Sequence, residues 1–283
     1  MSIAGISVVT LLLVVVAGIG AGFVGYAVGA SSLVSYPALL ALGVPPVLAN
    51  TTNTVGVVGT GVGGCISARR ELHGHRARVI LYAIIGVVGG VLGGVLLLEL
   101  PAVVFEYLVP PLILFSALII AVNPRGRAQA RDAVGAALGP DSVQAREAAA
   151  HEAGQAFPRD DIRRDPWWMW LGIDFVGVYS GYFGAGAGTL ALAMLDLGHI
   201  GSFHEINALK TVVGFGANIT ASVMFIVRGS VNWPFAIALC IGCFIGSYIA
   251  PPITRHIPAN IMRAAAVLAG VILAVKLGWS TYL

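Results

Sequence analysis

Charge is scarce in this sequence. Only 10% of its 283 residues are Asp, Glu, Lys or Arg, against roughly 25% in a soluble domain, while 58% are hydrophobic. No charged residue and no histidine occurs in residues 1–68, which as a helix would extend about 100 Å, or about three bilayer cores. This composition excludes an ordinary soluble globule, a disordered chain and a nucleic-acid-binding protein. It predicts a protein embedded in the lipid bilayer.

Cysteine is also rare. The three cysteines, Cys65, Cys240 and Cys243, all lie in apolar stretches, so no disulfide framework is indicated. Cys240 and Cys243 have the spacing of a metal or redox pair, but the absence of a second pair or a neighbouring histidine favours simple packing. The sequence contains no P-loop. We therefore predict no nucleotide, no metal, no other cofactor and no enzymatic activity.

What the sequence does contain is a series of apolar runs, most near the 20 residues that cross a bilayer. They predict an all-α polytopic membrane protein of about eight spans. The arginine-rich loop 69–78 is expected in the cytoplasm by the positive-inside rule. The polar region 123–166 is predicted to be a cytoplasmic linker. It separates a first transmembrane repeat, residues 1–122, from a second, residues 167–283.

The two halves resemble each other in sequence. The glycine-rich segment 18–31 aligns with 177–189, and the run Asn50–Thr54 aligns with 207–211. Matched features in the same order indicate an internal duplication, with parallel and inverted repeats both open. Duplicated membrane proteins with glycine-interrupted spans are typically transporters whose site lies near the bilayer midplane.

Each glycine-rich segment precedes an apolar stretch too short to cross the bilayer, which predicts a helix break. A helix that begins after such a break presents free N–H groups and a positive dipole end, which suit an anion. The serines and the threonine at these positions are expected to cap the new helices. The candidate binding residues at the two breaks are Gly29, Ser31, Ser32, Gly186, Gly188 and Thr189.

Lys210 is one of only two lysines and begins an otherwise uncharged run. A lysine at the centre of a membrane helix costs roughly 2.5–3.5 kcal/mol, which indicates a function, although snorkelling to the interface beside Glu205 is the alternative. Its counterpart Asn53 lies in a run of amides and hydroxyls suited either to an oxyanion or to interhelical hydrogen bonds. The candidates in these segments are Asn50, Thr51, Thr52, Asn53, Asn207, Lys210, Thr211 and Asn218.

Asp196, His204 and Glu205 follow the second break closely. Histidine titrates near neutral pH, and the pKa of an enclosed carboxyl group can be shifted towards neutrality. These residues are therefore candidates for proton coupling. A hydrated turn outside the membrane is the other interpretation.

Several motifs resemble the sulfite exporter TauE/SafE family. In the first half they are Ser35-Tyr-Pro-Ala-Leu-Leu, Leu42-Gly-Val-Pro and Ala49-Asn-Thr-Thr-Asn. In the second half they are Asn207-Ala-Leu-Lys, Asn218-Ile-Thr-Ala-Ser and Arg228-Gly-Ser-Val-Asn-Trp. The resemblance implies a multi-pass permease of a bacterial or archaeal cell membrane for sulfite, sulfonates or related organosulfur anions.

We expect a small anion to bind between the repeats and to be moved by alternating access. The alternatives are an uncoupled anion channel, or a membrane sulfur-relay protein that uses Cys65, Cys240 and Cys243. The expected partners are the anion and the lipid bilayer, without nucleic acid. Association into a homo-oligomer stays open.

Overall fold

The computed structural model describes residues 2–3, 6–73, 75–122, 162, 165–198, 203–254 and 259–282. Most of the predicted linker lies outside the described residues. Ahead of the first helix is a strand pair that the sequence did not predict, β1 (Ser2–Ile3) and antiparallel β2 (Ile6–Ser7). The helices of the described part are α1 (Val8–Val28), α2 (Ser32–Ala41), α3 (Pro46–Ser67), α4 (Arg69–Leu72), α5 (Arg76–Glu99), α6 (Ala102–Val122), α7 (Trp167–Tyr182), α8 (Ala187–Leu197), α9 (Phe203–Val227), α10 (Trp233–Thr254) and α11 (Ala259–Tyr282).

The distribution of apolar side chains is that of a protein surrounded by lipid. Within the described residues, five helices are long and apolar enough to cross a membrane: α1, α5, α6, most of α9 and most of α10. On the outside, Leu13 and Leu118 are more than half exposed, whereas Ser35 and Thr52 are fully buried. Lipid accepts the exposed apolar groups, and polar groups must find partners inside. The chain is therefore a helical, multi-pass membrane protein.

Both glycine-rich segments do interrupt a helix, as predicted. α1 ends at Gly29, whose φ of 81° lies in the left-handed region that favours glycine. The second interruption, between α7 and α8, contains Gly184 and Gly186 with φ of 77° and 72°. The helices that follow, α2 and α8, have 10 and 11 residues and are too short to cross a bilayer.

The prediction that serine and threonine side chains cap the two short helices is wrong. Ser31 precedes α2 in a helical conformation and makes no capping hydrogen bond with its side chain. α8 begins after Gly186, which has no side chain to cap with. Thr189 lies inside α8, and its hydroxyl instead donates to the carbonyl group of Val28 at 2.6 Å. The Thr189 hydroxyl therefore makes a tertiary contact instead of capping α8.

Most glycines within the two glycine-rich segments pack helices together. Gly18 lies against Gly242, and a β-carbon at Gly246 would lie 2.9 Å from the backbone nitrogen of Phe23, so α1 and α10 run parallel. In the same way Gly89 lies against Gly177, and the rest of α5 continues along α7 in parallel. Such backbone-to-backbone contact requires residues without side chains.

Two further helix pairs run antiparallel. α3 contacts α9 where Gly61 meets Phe215 and Gly64 meets Thr211, and α6 contacts α11 where Ala117 lies beside Gly270. α10 packs on both α1 and α3, while α5 packs on both α7 and α9. If the short helices α2 and α8 are counted and the one-turn helix α4 is not, α5 and α10 are the fourth helices of their halves, and each packs against the first and third helices of the opposite half.

The seam between α1 and α10 gives a matched test. Gly22→Ala is expected to lower the free energy of unfolding by about 1–3 kcal/mol, because overpacking against a rigid backbone costs that much. A β-carbon at Gly22 would lie 2.9 Å from Cα of Cys243. The control is Gly20→Ala in the same helix, whose β-carbon would lie 3.7 Å from a methyl group of Val34. Thermal unfolding of the purified protein in detergent measures both, and equal midpoints would contradict the packing role.

Candidate functional site

A cavity of about 70 Å³ lies where the two halves meet. Its wall is formed by α1, α2 and α3 from the first half and by α7, α8 and α9 from the second. One water molecule needs about 10–15 Å³, so the cavity has room for a few waters or a small ion. The polar residues of its wall are Ser31, Ser32, Thr54, Thr60, Ser180, Lys210, Thr211 and Asn218.

Lys210 supplies the positive charge of the cavity wall. Its side chain is 3% exposed, and its Nζ donates to the carbonyl group of Tyr26 at 2.9 Å. An ammonium group carries three N–H donors and no acceptor. The burial of Lys210 and its hydrogen bond to α1 favour a role inside the protein over snorkelling to the membrane interface.

One face of α9 lines the cavity. Lys210, Gly214 and Asn218 are spaced by four residues each and therefore lie one above the other along the helix. Across the cavity, Thr54 and Gly61 lie on the facing side of α3. The wall therefore combines a cation at one level with hydroxyl and amide groups along its length.

The break after α1 frees backbone carbonyl groups that a continuous helix would have used. Two of them are satisfied by the second half of the chain. Lys210 donates to Tyr26, and Thr189 of α8 donates to Val28. At the same point Gly29 lies directly against Gly188, where a β-carbon on either glycine would meet the other's backbone. The two breaks are therefore in contact beside the cavity.

The break after α7 is satisfied from the first half in return. Asn50 of α3 donates its Nδ2 to the carbonyl group of Tyr182 at 2.9 Å. Ser116 of α6 donates to the carbonyl group of Ala185, which also accepts from the Tyr179 hydroxyl at 2.7 Å. Each broken helix end thus depends on side chains of the opposite half.

The structure brings half of the predicted binding residues to the cavity wall. Those that line it are Gly29, Ser31, Ser32, Gly188, Lys210, Thr211 and Asn218. Those that lie outside the lining are Asn50, Thr51, Thr52, Asn53, Gly186, Thr189 and Asn207.

Thr51 and Thr52 fasten α3 to the connection between α9 and α10. The Thr51 hydroxyl donates to the carbonyl group of Ser230, and the backbone N–H of Asn232 donates to Thr52 Oγ1 at 3.0 Å. These are interhelical hydrogen bonds, the alternative that the sequence left open for this run.

Asn53 holds the short helix α2 against α3. Its Nδ2 donates to Ser32 Oγ at 2.9 Å, and its Oδ1 accepts from the Ser35 hydroxyl. Asn50 and Asn207, which align in the predicted duplication, are both buried. Each has a side-chain oxygen without a hydrogen-bond partner among the described residues.

The wall residues that are absent from the predicted binding set include Thr54, Thr60, Ser180 and Gly214. A signal existed for two of them. Thr54 aligns with Thr211 in the predicted duplication, and Gly214 lies midway between Lys210 and Asn218 on one helical face. Thr60 and Ser180 carry no comparable pattern.

The proposed proton-coupling residues lie apart from the cavity lining. Glu205 approaches His75, with 3.3 Å between its Oε1 and the imidazole Nε2, and His75 is 2% exposed. Asp196 is half-buried near the end of α8, and the side chain of His204 lies outside the described residues. Among the residues that the structure describes, no three His, Cys, Asp or Glu side chains gather as a metal site requires.

A buried ion pair lies at the same end of α5. The guanidinium of Arg78 donates to the carboxylate of Asp165 at 2.8 Å, and the Tyr82 hydroxyl donates to the same carboxylate at 2.8 Å. Both charged residues are less than a tenth exposed. Since Asp165 directly precedes the second half, this pair joins the entry of that half to the first half.

A multi-pass helical bundle with broken helices around a buried polar cavity is the arrangement of a membrane transporter. The comparison with known families agrees. The model of the family "Sulfite exporter TauE/SafE" matches residues 14–277, and the chain belongs to this family. It is accordingly a multi-pass transporter protein of the cell membrane.

Relatives of similar length carry the same general description. The chain is 25% identical to "Probable membrane transporter protein ORF9" of Sinorhizobium sp., over 91% of this chain and 88% of the relative. It is 24% identical to a "Probable membrane transporter protein" of Haemophilus influenzae, over 97% and 98%, and 24% identical to YfcA of Escherichia coli K12, over 93% and 87%. No solved structure matches the chain.

The contact between the two breaks can be tested through Thr189. Thr189→Val is nearly the same shape but leaves the Val28 carbonyl without this donor, so we expect a loss of about 1–3 kcal/mol of unfolding free energy. The control is Thr220→Val, because the Thr220 hydroxyl donates only within its own helix, to Gly216 at 2.9 Å. Denaturant unfolding in detergent compares the two variants, and a Thr189 variant as stable as the control would contradict the role of this contact.

Proposed function

We propose that this protein transports small sulfur-containing anions, such as sulfite, sulfonates or related organosulfur anions, by alternating access. The cavity between the halves is the binding site of this proposal. The main support for this proposal is the buried ammonium group of Lys210, which lies in the wall of a small cavity lined by hydroxyl and amide groups. The family name adds the class of anion.

The sign of the charge selects an anion. Besides Lys210, two short helices begin at the cavity: Ser32 opens α2, and Ala187 opens α8. The first N–H groups of a helix have no intrahelical acceptor and carry a partial positive charge. An oxyanion in the cavity would therefore meet a cation, two helix N-termini and neutral hydrogen-bond donors.

Alternating access is supported by the direction of the helices. α3 and α9 are the matched elements that carry Asn50 and Asn207, and they pack antiparallel, as do α6 and α11. Repeats related by an axis in the membrane plane have this property, and transporters of that kind rock one part of the molecule against another around a central site. We therefore propose two inverted repeats, each with four long helices and one short helix, α2 or α8, in a segment that leads the chain back across the membrane after the glycine break.

Proton coupling is part of the proposal for one residue pair. Glu205 lies in the first turn of α9, the helix that carries Lys210, and it approaches the buried His75 of the opposite half. The pair thus links α9 to the chain just before α5.

The role of Lys210 gives the main test. In proteoliposomes, Lys210→Met is expected to reduce the affinity for sulfite by about 10–100-fold, since a charge-assisted hydrogen bond contributes about 1.5–3 kcal/mol. The control is Lys276→Met, because Lys276 is the only other lysine and lies exposed on α11. Size-exclusion profiles establish that both variants fold, and saturable sulfite flux is measured for each. Equal loss in both variants, or none in either, would remove Lys210 from the site.

The two alternative functions predict different outcomes. A channel would show flux that is not accelerated by sulfite on the opposite side, whereas an alternating-access carrier shows such counterflow. A sulfur-relay protein requires its thiols, but Cys65, Cys240 and Cys243 do not line the cavity. We expect a variant with all three replaced by alanine to retain at least about half of the sulfite flux. Loss of flux in a folded variant would favour the relay.

A further inference from the structure

Gly214 differs from the other glycines of the cavity wall. A β-carbon at Gly25 would collide with Ser31, one at Gly61 with Phe215, and those at Gly29 and Gly188 with each other. Even at Gly184 a β-carbon would lie 3.1 Å from the Ser180 carbonyl oxygen. At Gly214 it would meet nothing within 4 Å. Close packing, or at Gly29 and Gly184 a left-handed backbone, therefore explains the other five glycines of the wall but not Gly214.

Gly214 also has no conformational reason to be glycine. It lies in the interior of α9, where the backbone is helical, and glycine there costs about 1 kcal/mol relative to alanine. The space beside it is the cavity itself, since Gly214 is part of the cavity wall. A side chain at this position would thus occupy volume that a bound molecule uses.

The free volume beside Gly214 lies next to Lys210, which is four residues earlier on the same helix. Residues four apart on a helix are neighbours, with about 5–6 Å between their β-carbons. An anionic head group held at Lys210 would place its substituent along α9, over Gly214 and towards Asn218. Sulfite has no organic substituent, whereas a sulfonate carries one on its sulfur.

We propose that Gly214 determines the size of the substituent that the carrier accepts. The missing side chain leaves room for the organic group of a sulfonate beside the anion site. This inference rests on the proposed function, because it assumes that the cavity binds a sulfur oxyanion at Lys210. It assigns to one residue the discrimination between inorganic and organic sulfur anions.

The experiment measures flux in proteoliposomes for sulfite, methanesulfonate and 2-aminoethanesulfonate with wild type, Gly214→Ala and Gly214→Val. We expect the ratio of sulfonate flux to sulfite flux to fall by about tenfold or more in Gly214→Val, since one methylene in a pocket changes selectivity by about 10–200-fold. Gly20→Ala is the control for Gly214→Ala, because Gly20 also has room for a β-carbon but does not line the cavity. Its ratios are expected to match wild type.

A second measurement is independent of transport. In a variant with Cys65, Cys240 and Cys243 replaced by alanine, Gly214→Cys is expected to react with a charged methanethiosulfonate at least about tenfold faster than Gly20→Cys. Equal rates would show that Gly214 does not border a water-accessible cavity and would overturn the inference.

The two proposals fail in different ways. Absence of sulfur-anion flux in wild type contradicts the proposed function. Intact wild-type flux with an unchanged sulfonate-to-sulfite ratio in both Gly214 variants contradicts the role of Gly214 alone. A ratio that falls equally in Gly20→Ala and Gly214→Ala would also overturn it, because the effect would then arise outside the cavity.

Discussion

The constraint on which this structure depends is that an interrupted membrane helix must find partners for its freed carbonyl groups. Lipid offers none, and each unsatisfied group costs several kcal/mol. Here the partners come from across the molecule. Lys210 and Thr189 satisfy the end of α1, and Asn50 satisfies the end of α7. These hydrogen bonds satisfy the broken helix ends and also hold the two halves together around the cavity. The stability of the protein and the formation of the cavity therefore depend on the same hydrogen bonds.

The glycines divide into three groups by what surrounds them. Gly29, Gly184 and Gly186 provide backbone conformations that other residues rarely adopt. A larger group, such as Gly22 and Gly246, lets helices touch backbone to backbone. Gly214 belongs to neither group and faces open space. Glycine density alone therefore signals a break, a packing seam or a cavity wall, and only the neighbours of each residue distinguish them.

Much of the site was predictable, for reasons that are physical. The cost of burying a lysine in a membrane span is enough to indicate a function for Lys210, and the short segments after each glycine-rich stretch indicate the breaks. For the run from Asn50 to Thr54, the sequence does not predict which residues line the cavity. Successive residues on a helix point about 100° apart, so five neighbours cannot face one cavity. Only Thr54 of this run lines it, while Thr51 and Thr52 face the connection after α9.

The sequence could not predict which helices pack against each other. A glycine face on α5 predicts a close neighbour but not that the neighbour is α7, which follows it after the long polar region 123–166. Similarly, Arg78 helps to predict that the loop 69–78 is cytoplasmic, but its pairing with Asp165 depends on where the second half enters the membrane. Contacts between distant segments depend on the whole fold, so local patterns carry little information about them.

The exchange of α5 and α10 between the halves has a consequence for how the protein is made. When the first half has just entered the bilayer, the glycine face of α5 has neither α7 nor α9 to pack against, and the end of α1 lacks Lys210 and Thr189. The core of the first half therefore stays incomplete until the second half has been synthesised and inserted. We therefore expect the two halves to fold as one cooperative unit. A chain severed within 123–161 would yield two fragments that are stable only when both are present in the same membrane.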